Sequence, residues 1–195
     1  MNNIENLDAE ELLHLSLKAM ESGNHDSAII YLKRSIELSP NNAQAHYLLS
    51  AEYAEIGMYE RAAEGMTKAL ELNPSMGTAR FQLGLLHITS GNKDQAAMVW
   101  EQLSELGETH PLYLFKEGLL KLSEDQFEES LKLLKEGISQ NNINPALNND
   151  MERIVANIND ILSNGSANHQ AENENDKEEN QPSGNHIFLN NYRDS

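Results

Sequence analysis

The sequence contains no cysteine. That absence removes disulfide frameworks, thiolate metal sites and cysteine nucleophiles. Positive charge is scarce: 14 Lys and Arg stand against 31 Asp and Glu, a formal net charge of −17. A surface so poor in cations suits neither nucleic acid nor anionic lipid, because both select basic patches. No apolar run approaches the roughly 20 residues that a membrane span needs. The opening MNNIENLDAEELLHL has no basic segment ahead of an apolar core and does not read as a secretory signal. The expectation is a cytoplasmic protein with no direct membrane insertion.

Catalytic patterns are missing as well. Of His14, His25, His46, His87, His110, His169 and His186, no two stand three or four residues apart, so no helical metal pair exists. There is no Gly-rich phosphate loop and no Gly-x-Ser-x-Gly elbow. The many carboxylates of ELGETH and EGLLKLSEDQFEES have the look of solvated helix faces. The expectation is no enzyme, no metal and no cofactor.

What the chain does have is periodicity. SGNHDSAIIYLKRSIELSP (22–40), IGMYERAAEGMTKALELNP (56–74) and SGNKDQAAMVWEQLSELGE (90–108) align at steps of 34 residues, with a looser copy at EDQFEESLKLLKEGISQNN (124–142). Gly23, Gly57, Gly91 and Asp125 form one ladder, and Ala28, Ala62, Ala96 and Ser130 another. Glycine supplies the positive φ that stops a helix, and Asp tolerates it better than most residues. Small residues let two helices approach closely. Pro40 and Pro74 form a third ladder, while Pro111 and Pro145 suit the first turn of a helix. Each unit therefore reads as two helices of about 12–14 residues joined by a tight turn. Asp8 with Glu11 matches a capping box at the first helix.

These ladders resemble the tetratricopeptide repeat (TPR) family, whose unit is a 34-residue helix–turn–helix. Leu12, Leu15, Ser16, Ala28, Leu32, Ser35 and Pro40 fill its signature positions in the first unit, as do Leu49, Ser50, Tyr53, Ala62, Met66, Ala69 and Pro74 in the second. The third keeps Leu83, Gly84, Ala96, Trp100 and Leu103, with departures at Arg80 and His87. The fourth keeps Leu114, Gly118, Ser130 and Leu134, with departures at Glu117, Lys121 and Gly137. The resemblance implies an all-α, right-handed superhelical solenoid of four TPR units (9–42, 43–76, 77–110 and 111–144) after a short lead-in, 1–8. Met151, Ile154, Val155, Ile158 and Ile161 recur at helical spacing, so residues 145–162 read as a capping helix that covers the last repeat.

Residues 163–186 hold almost no large apolar side chain and read as a disordered acidic, Asn-rich linker. Ile187, Phe188, Leu189 and Tyr192 then return as a short apolar segment (187–195), a docking element for the protein's own surface or for a second partner.

In the family, positions 2, 5, 9, 12 and 13 of each unit line a concave groove. The resemblance places Leu13, Leu17, Met20, Tyr47, Phe81, Leu85, Ile88, Leu112, Phe115, Leu119 and Leu122 there, with Glu10, Glu21, Gln44 and Glu55 as a polar rim. The helix HPLYLFKEGLLKL (110–122) carries more apolar residues than one face can hold, as expected if one face packs and the other lines the groove. Leu13 and Leu17 stand where chaperone-tail-binding relatives carry carboxylate-gripping polar residues, so an acidic tail is a poor ligand. The expected function is a protein-interaction scaffold or adaptor that holds an apolar or amphipathic partner segment, with a basic flank favoured by the charge. The alternative is a small acidic chaperone of a secretion-type system holding an aggregation-prone client. Self-association through the groove stays open.

Overall fold

The computed structural model describes residues 4–168. The apolar segment at 187–192 and most of the linker lie outside the described residues. Among the described residues there are nine α-helices and no strand: α1 (Ala9–Glu21), α2 (His25–Leu38), α3 (Ala43–Glu55), α4 (Tyr59–Leu72), α5 (Gly77–Thr89), α6 (Lys93–Trp100), α7 (Pro111–Leu122), α8 (Phe127–Gln140) and α9 (Pro145–Asn168). No helix among them is long and apolar enough to cross a membrane.

The first helix of every unit ends in the same way. Gly23, Gly57, Gly91 and Asp125 take φ of 67°, 76°, 78° and 58°. After α1, the Gly23 N–H donates to the Met20 carbonyl at 3.0 Å and the Asn24 N–H to the Ala19 carbonyl at 2.8 Å. This is the Schellman pattern, which satisfies carbonyls that the helix itself leaves open. The pattern repeats at Gly57 and Met58, at Gly91 and Asn92, and at Asp125 and Gln126. Helix starts are equally local. Asp8 and Glu11 close the capping box, and Asn24 and Asn42 accept from the N–H groups of Ser27 and Ala45.

The chain divides into two compact units between Leu86 and His87, inside α5. In the first unit, hairpins α1/α2 and α3/α4 pack through small residues: Ser16, Ala28, Ser35, Ala45, Ser50, Ala62 and Ala69 are all buried. The Ser35 hydroxyl donates to the Ala9 carbonyl at 2.7 Å, tying the end of α2 to the start of α1. Gly65 faces the Ser50 hydroxyl so closely that no Cβ fits. Consecutive hairpins are joined by a polar contact. Glu52 of α3 is 2% exposed, and its carboxylate accepts from His25 Nδ1 of α2 at 2.9 Å. Tyr53 beside it lies between Lys33 and Arg61, 5.9 and 5.8 Å from its ring centre.

In the second unit, the expected second helix of the third repeat breaks. Only Lys93–Trp100 is α-helical, and Glu101–Leu106 continues as a 3₁₀ segment, ended by Gly107 at φ 94°. A 3₁₀ helix eclipses residues three apart, which keeps Trp100 and Leu103 (both fully buried) on one line. The Lys116 ammonium of α7 donates to the Ser104 hydroxyl at 2.7 Å and braces the segment. On α7 and α8, Gly118 admits the Leu134 side chain and Gly137 admits the Phe115 ring. The α8–α9 turn is laced by Asn141, whose side chain bonds Asn144 and Asn148. Leu147, Met151, Ile154 and Ile158 of α9 are buried, and Val155 and Ile161 only partly so. Helix α9 runs to Asn168, six residues past the expected end at Leu162; SNGSAN carries no apolar stripe from which sequence periodicity could extend it.

Two stability outcomes follow from these contacts. Gly57→Ala meets open space around its new Cβ, so its cost is backbone strain alone, about 1–2 kcal/mol; Gly57→Asn costs less, as urea denaturation would measure. His25→Ala leaves the Glu52 carboxylate buried without its partner and costs about 1–3 kcal/mol. The double variant His25→Ala/Glu52→Leu recovers most of that loss.

Candidate protein-binding face

The helix that opens each repeat has three sides. On α1, Leu12, Ser16 and Ala19 face the interior. A second stripe holds Glu10, Leu13, Leu17, Met20 and Glu21. A third holds Glu11, His14, Leu15 and Lys18, which with Leu7, Asp8 and Glu10 border an open hollow of about 420 Å³. Leu7 and Leu15 give that hollow apolar walls, while Glu11 is committed to the capping box and His14 Nδ1 bonds the Glu10 carbonyl at 3.0 Å.

The second stripe is the expected groove side, and in the first unit it is accessible. Leu13, Leu17 and Met20 of α1 and Tyr47 of α3 are half-buried, and Glu10, Glu21, Gln44 and Glu55 are exposed. Tyr47, Ala51 and Ala54 stand 34 residues after Leu13, Leu17 and Met20, and the same hairpin turn closes both helices, so equivalent positions lie on one side of the unit. Ala51 and Ala54 are also half-buried. Their small side chains make the floor, with Leu13, Leu17 and Tyr47 as larger walls. Burial pushes the Tyr47 phenol above its ordinary pKa of 10.0, and its hydroxyl has no hydrogen-bond partner among the described residues.

The other seven expected groove residues are interior. Phe81, Phe115, Leu119 and Leu122 have no exposed surface, Ile88 has 2%, Leu85 6% and Leu112 9%. The greasy helix therefore has two apolar faces because both are buried, not because one lines an open groove. For Phe115 the reason is explicit: a Cβ on Gly137 would lie 2.5 Å from its ring, so the ring occupies the space that an ordinary residue there would fill. Helix α5 buries Ala79, Phe81, Leu83, Leu85, Leu86 and Ile88, more apolar residues than a single face holds, while the polar Arg80 and His87 are half-buried. The accessible part of the expected site is thus confined to α1 and α3.

Two polar side chains near the starts of α3 and α5 also acquire roles. His46 Nε2 bonds the Pro40 carbonyl at 2.9 Å, and the Arg80 guanidinium donates to the Pro74 carbonyl at 2.9 Å. Each polar side chain latches the proline turn six residues before it. The matching six-residue spacing was the signal that could have found them. His87 is half-buried, and burial holds its pKa below the ordinary 6.5.

One arrangement has the outline of catalytic machinery. The exposed Ser104 hydroxyl meets the buried Lys116 Nζ at 2.7 Å. Yet Nζ also lies 3.2 Å from the Glu117 carboxylate and 4.9 Å from the Tyr113 ring centre. Nζ is thus shared among a hydroxyl, a carboxylate and a π face, and is not dedicated to the serine. Among the described residues there is no group of three His, Asp or Glu side chains that could hold a metal.

Residues 12–42 and 31–64 each match a model of the tetratricopeptide repeat. No curated protein matches the chain. Among solved structures, a crystal structure of MamA is 25% identical, with a TM-score of 0.58 over 68% of this chain and 77% of that one. MamA 41-end from Desulfovibrio magneticus RS-1 is 18% identical, with a TM-score of 0.60 over 84% and 91%. The hetero-tetramer of APC/C components Cut9 and Hcn1 is 17% identical, with a TM-score of 0.63 over 70% of this chain and 26% of that one. The last two likenesses speak for fold alone.

Two measurements check this division into accessible and interior residues. Phe115→Ala lowers stability by about 3–5 kcal/mol, as expected of a core ring; a loss under 1 kcal/mol would return Phe115 to the surface. The raised Tyr47 phenol means the unfolded chain deprotonates first. Its contribution is complete below pH about 10 and is lost as pH rises through the folded pKa. Tyr47→Phe removes that part of the alkaline decline in a pH series of unfolding curves.

Proposed function

We propose that this chain, a tetratricopeptide-repeat protein, is a non-enzymatic scaffold or adaptor that holds an apolar or amphipathic segment of another protein on its α1–α3 face. The observation that carries this reading is the half-buried stripe of Leu13, Leu17, Met20 and Tyr47, bordered by exposed polar residues. An apolar strip with a polar border is the anatomy of a non-obligate protein interface, and an amphipathic helix laid into a groove is a recurrent way to use one. The matched repeat models span residues 12–64, which include all of α3 and most of α1, the two helices of this face.

The second reading, a chaperone for an aggregation-prone client, uses the same face. The excess of 31 acidic over 14 basic residues favours it, since charge keeps a loaded complex soluble. The two differ in the partner: a client aggregates when expressed alone, whereas a scaffolded protein folds without help.

Benzoylphenylalanine placed at Leu17 tests the face in cells. Irradiation is expected to trap one defined adduct, identified by mass spectrometry and absent when the probe stands at Glu129 of α8. Equal trapping from both positions, or none from Leu17, would remove the α1–α3 face from the account.

A further inference from the structure

Charge around the α1–α3 face is distributed in a way that neutral packing does not require. Among the described residues, Glu10, Glu21 and Glu55 make no ion pair. Cations are available in the same unit but are held elsewhere. Arg34 pairs with Glu37 at 2.7 Å and Lys68 with Glu71 at 2.9 Å, each three residues on along its own helix. Lys33 and Arg61 lie against the Tyr53 ring, and Arg80 binds the Pro74 carbonyl. Lys18 borders the same hollow as Glu10 but makes no ion pair with it among the described residues. Three carboxylates thus border an apolar strip with no cation paired to them among the described residues. Within the strip, Tyr47 is half-buried and its hydroxyl has no hydrogen-bond partner among the described residues.

Resting on the scaffold reading above, we propose that the occupant of this face is a basic amphipathic segment of a partner protein. Its apolar side chains seat against Leu13, Leu17 and Tyr47, and Lys or Arg residues on either side of them meet Glu10, Glu21 and Glu55. A hydrogen-bonding group on the segment satisfies the Tyr47 hydroxyl. Charge complementarity decides against the other occupants. A second copy brings the same net charge of −17. The chain's own apolar segment at 187–192 follows a stretch with Glu172, Glu174, Asp176, Glu178 and Glu179 against Lys177, and like charges across an interface oppose binding.

Three synthetic peptides titrated into the full chain by calorimetry test the proposal: a Leu/Lys amphipathic helix, its Leu/Glu counterpart, and residues 186–195 of this protein. The Leu/Lys peptide is expected to bind alone. Its affinity should fall roughly tenfold in Glu10→Gln/Glu21→Gln/Glu55→Gln, since each exposed pair contributes modestly. It should stay within twofold in Glu128→Gln/Glu129→Gln/Glu136→Gln, which removes the same charge from α8. Equal losses in both triple variants would mean attraction to overall charge and would overturn the proposal. Equal binding of the Leu/Glu peptide, or tighter binding of the 186–195 peptide, would overturn the basic occupant while leaving the face in use. Unchanged binding of every peptide to a folded Leu17→Asp/Tyr47→Asp variant would instead sink the face itself.

Discussion

A residue in left-handed backbone conformation, once every 34 positions, is the constraint on which this architecture depends. It stops α1, α3, α5 and α7 at the same phase and sends the next helix back along the first. Because the turn is set by local sterics and two hydrogen bonds, it needs no tertiary partner to form. Every later contact inherits its register. Gly65 meets Ser50, and Gly118 meets Leu134, only because each hairpin turns at the same point, and neither glycine leaves space for a Cβ. Asp125 holds the last turn at φ 58° without being glycine, so the geometry belongs to the position rather than to one residue type.

Within that frame, departures from the repeat pattern act as local compensations. Gly137 is a poor helix residue, about 1 kcal/mol worse than alanine in a helix interior, yet its missing side chain is the space in which the Phe115 ring sits. His46 and Arg80 interrupt apolar positions but supply donors to proline carbonyls that would otherwise be left to water. Glu52 goes furthest, being a carboxylate in the interior whose partner comes from the preceding hairpin. A buried ion pair or charged hydrogen bond adds little net stability compared with apolar packing, but it penalises misalignment heavily. It therefore fixes how α3 meets α2.

The fold was legible in the sequence to the extent that it is local. Ladders at 34-residue spacing, the Asp8–Glu11 box and Pro111 at a helix start depend on nearest neighbours along the chain, and each stands where the residues placed it. Which of the expected groove residues stay accessible was not legible. Periodicity reports that α5 and α7 own a second apolar face, but it carries no information on what covers that face. Phe81 and Phe115 looked like groove lining for the same reason that Tyr47 did. The break of the third repeat's second helix into 3₁₀ winding was invisible for a related reason. It answers to Lys116, twelve residues further on, and to the need to bury Trp100 with Leu103.

The burial of Trp100 has one more consequence. It is the single tryptophan of the chain, it has no exposed surface, and it belongs to the second compact unit. Its emission therefore watches one half of the molecule and is blind to the other, whereas helical circular dichroism sums over both. The protein carries a built-in reporter of its own cooperativity. Coincidence of the two optical signals during denaturation means that the halves melt as one, and separation means that the division inside α5 is a thermodynamic boundary as well as a geometric one.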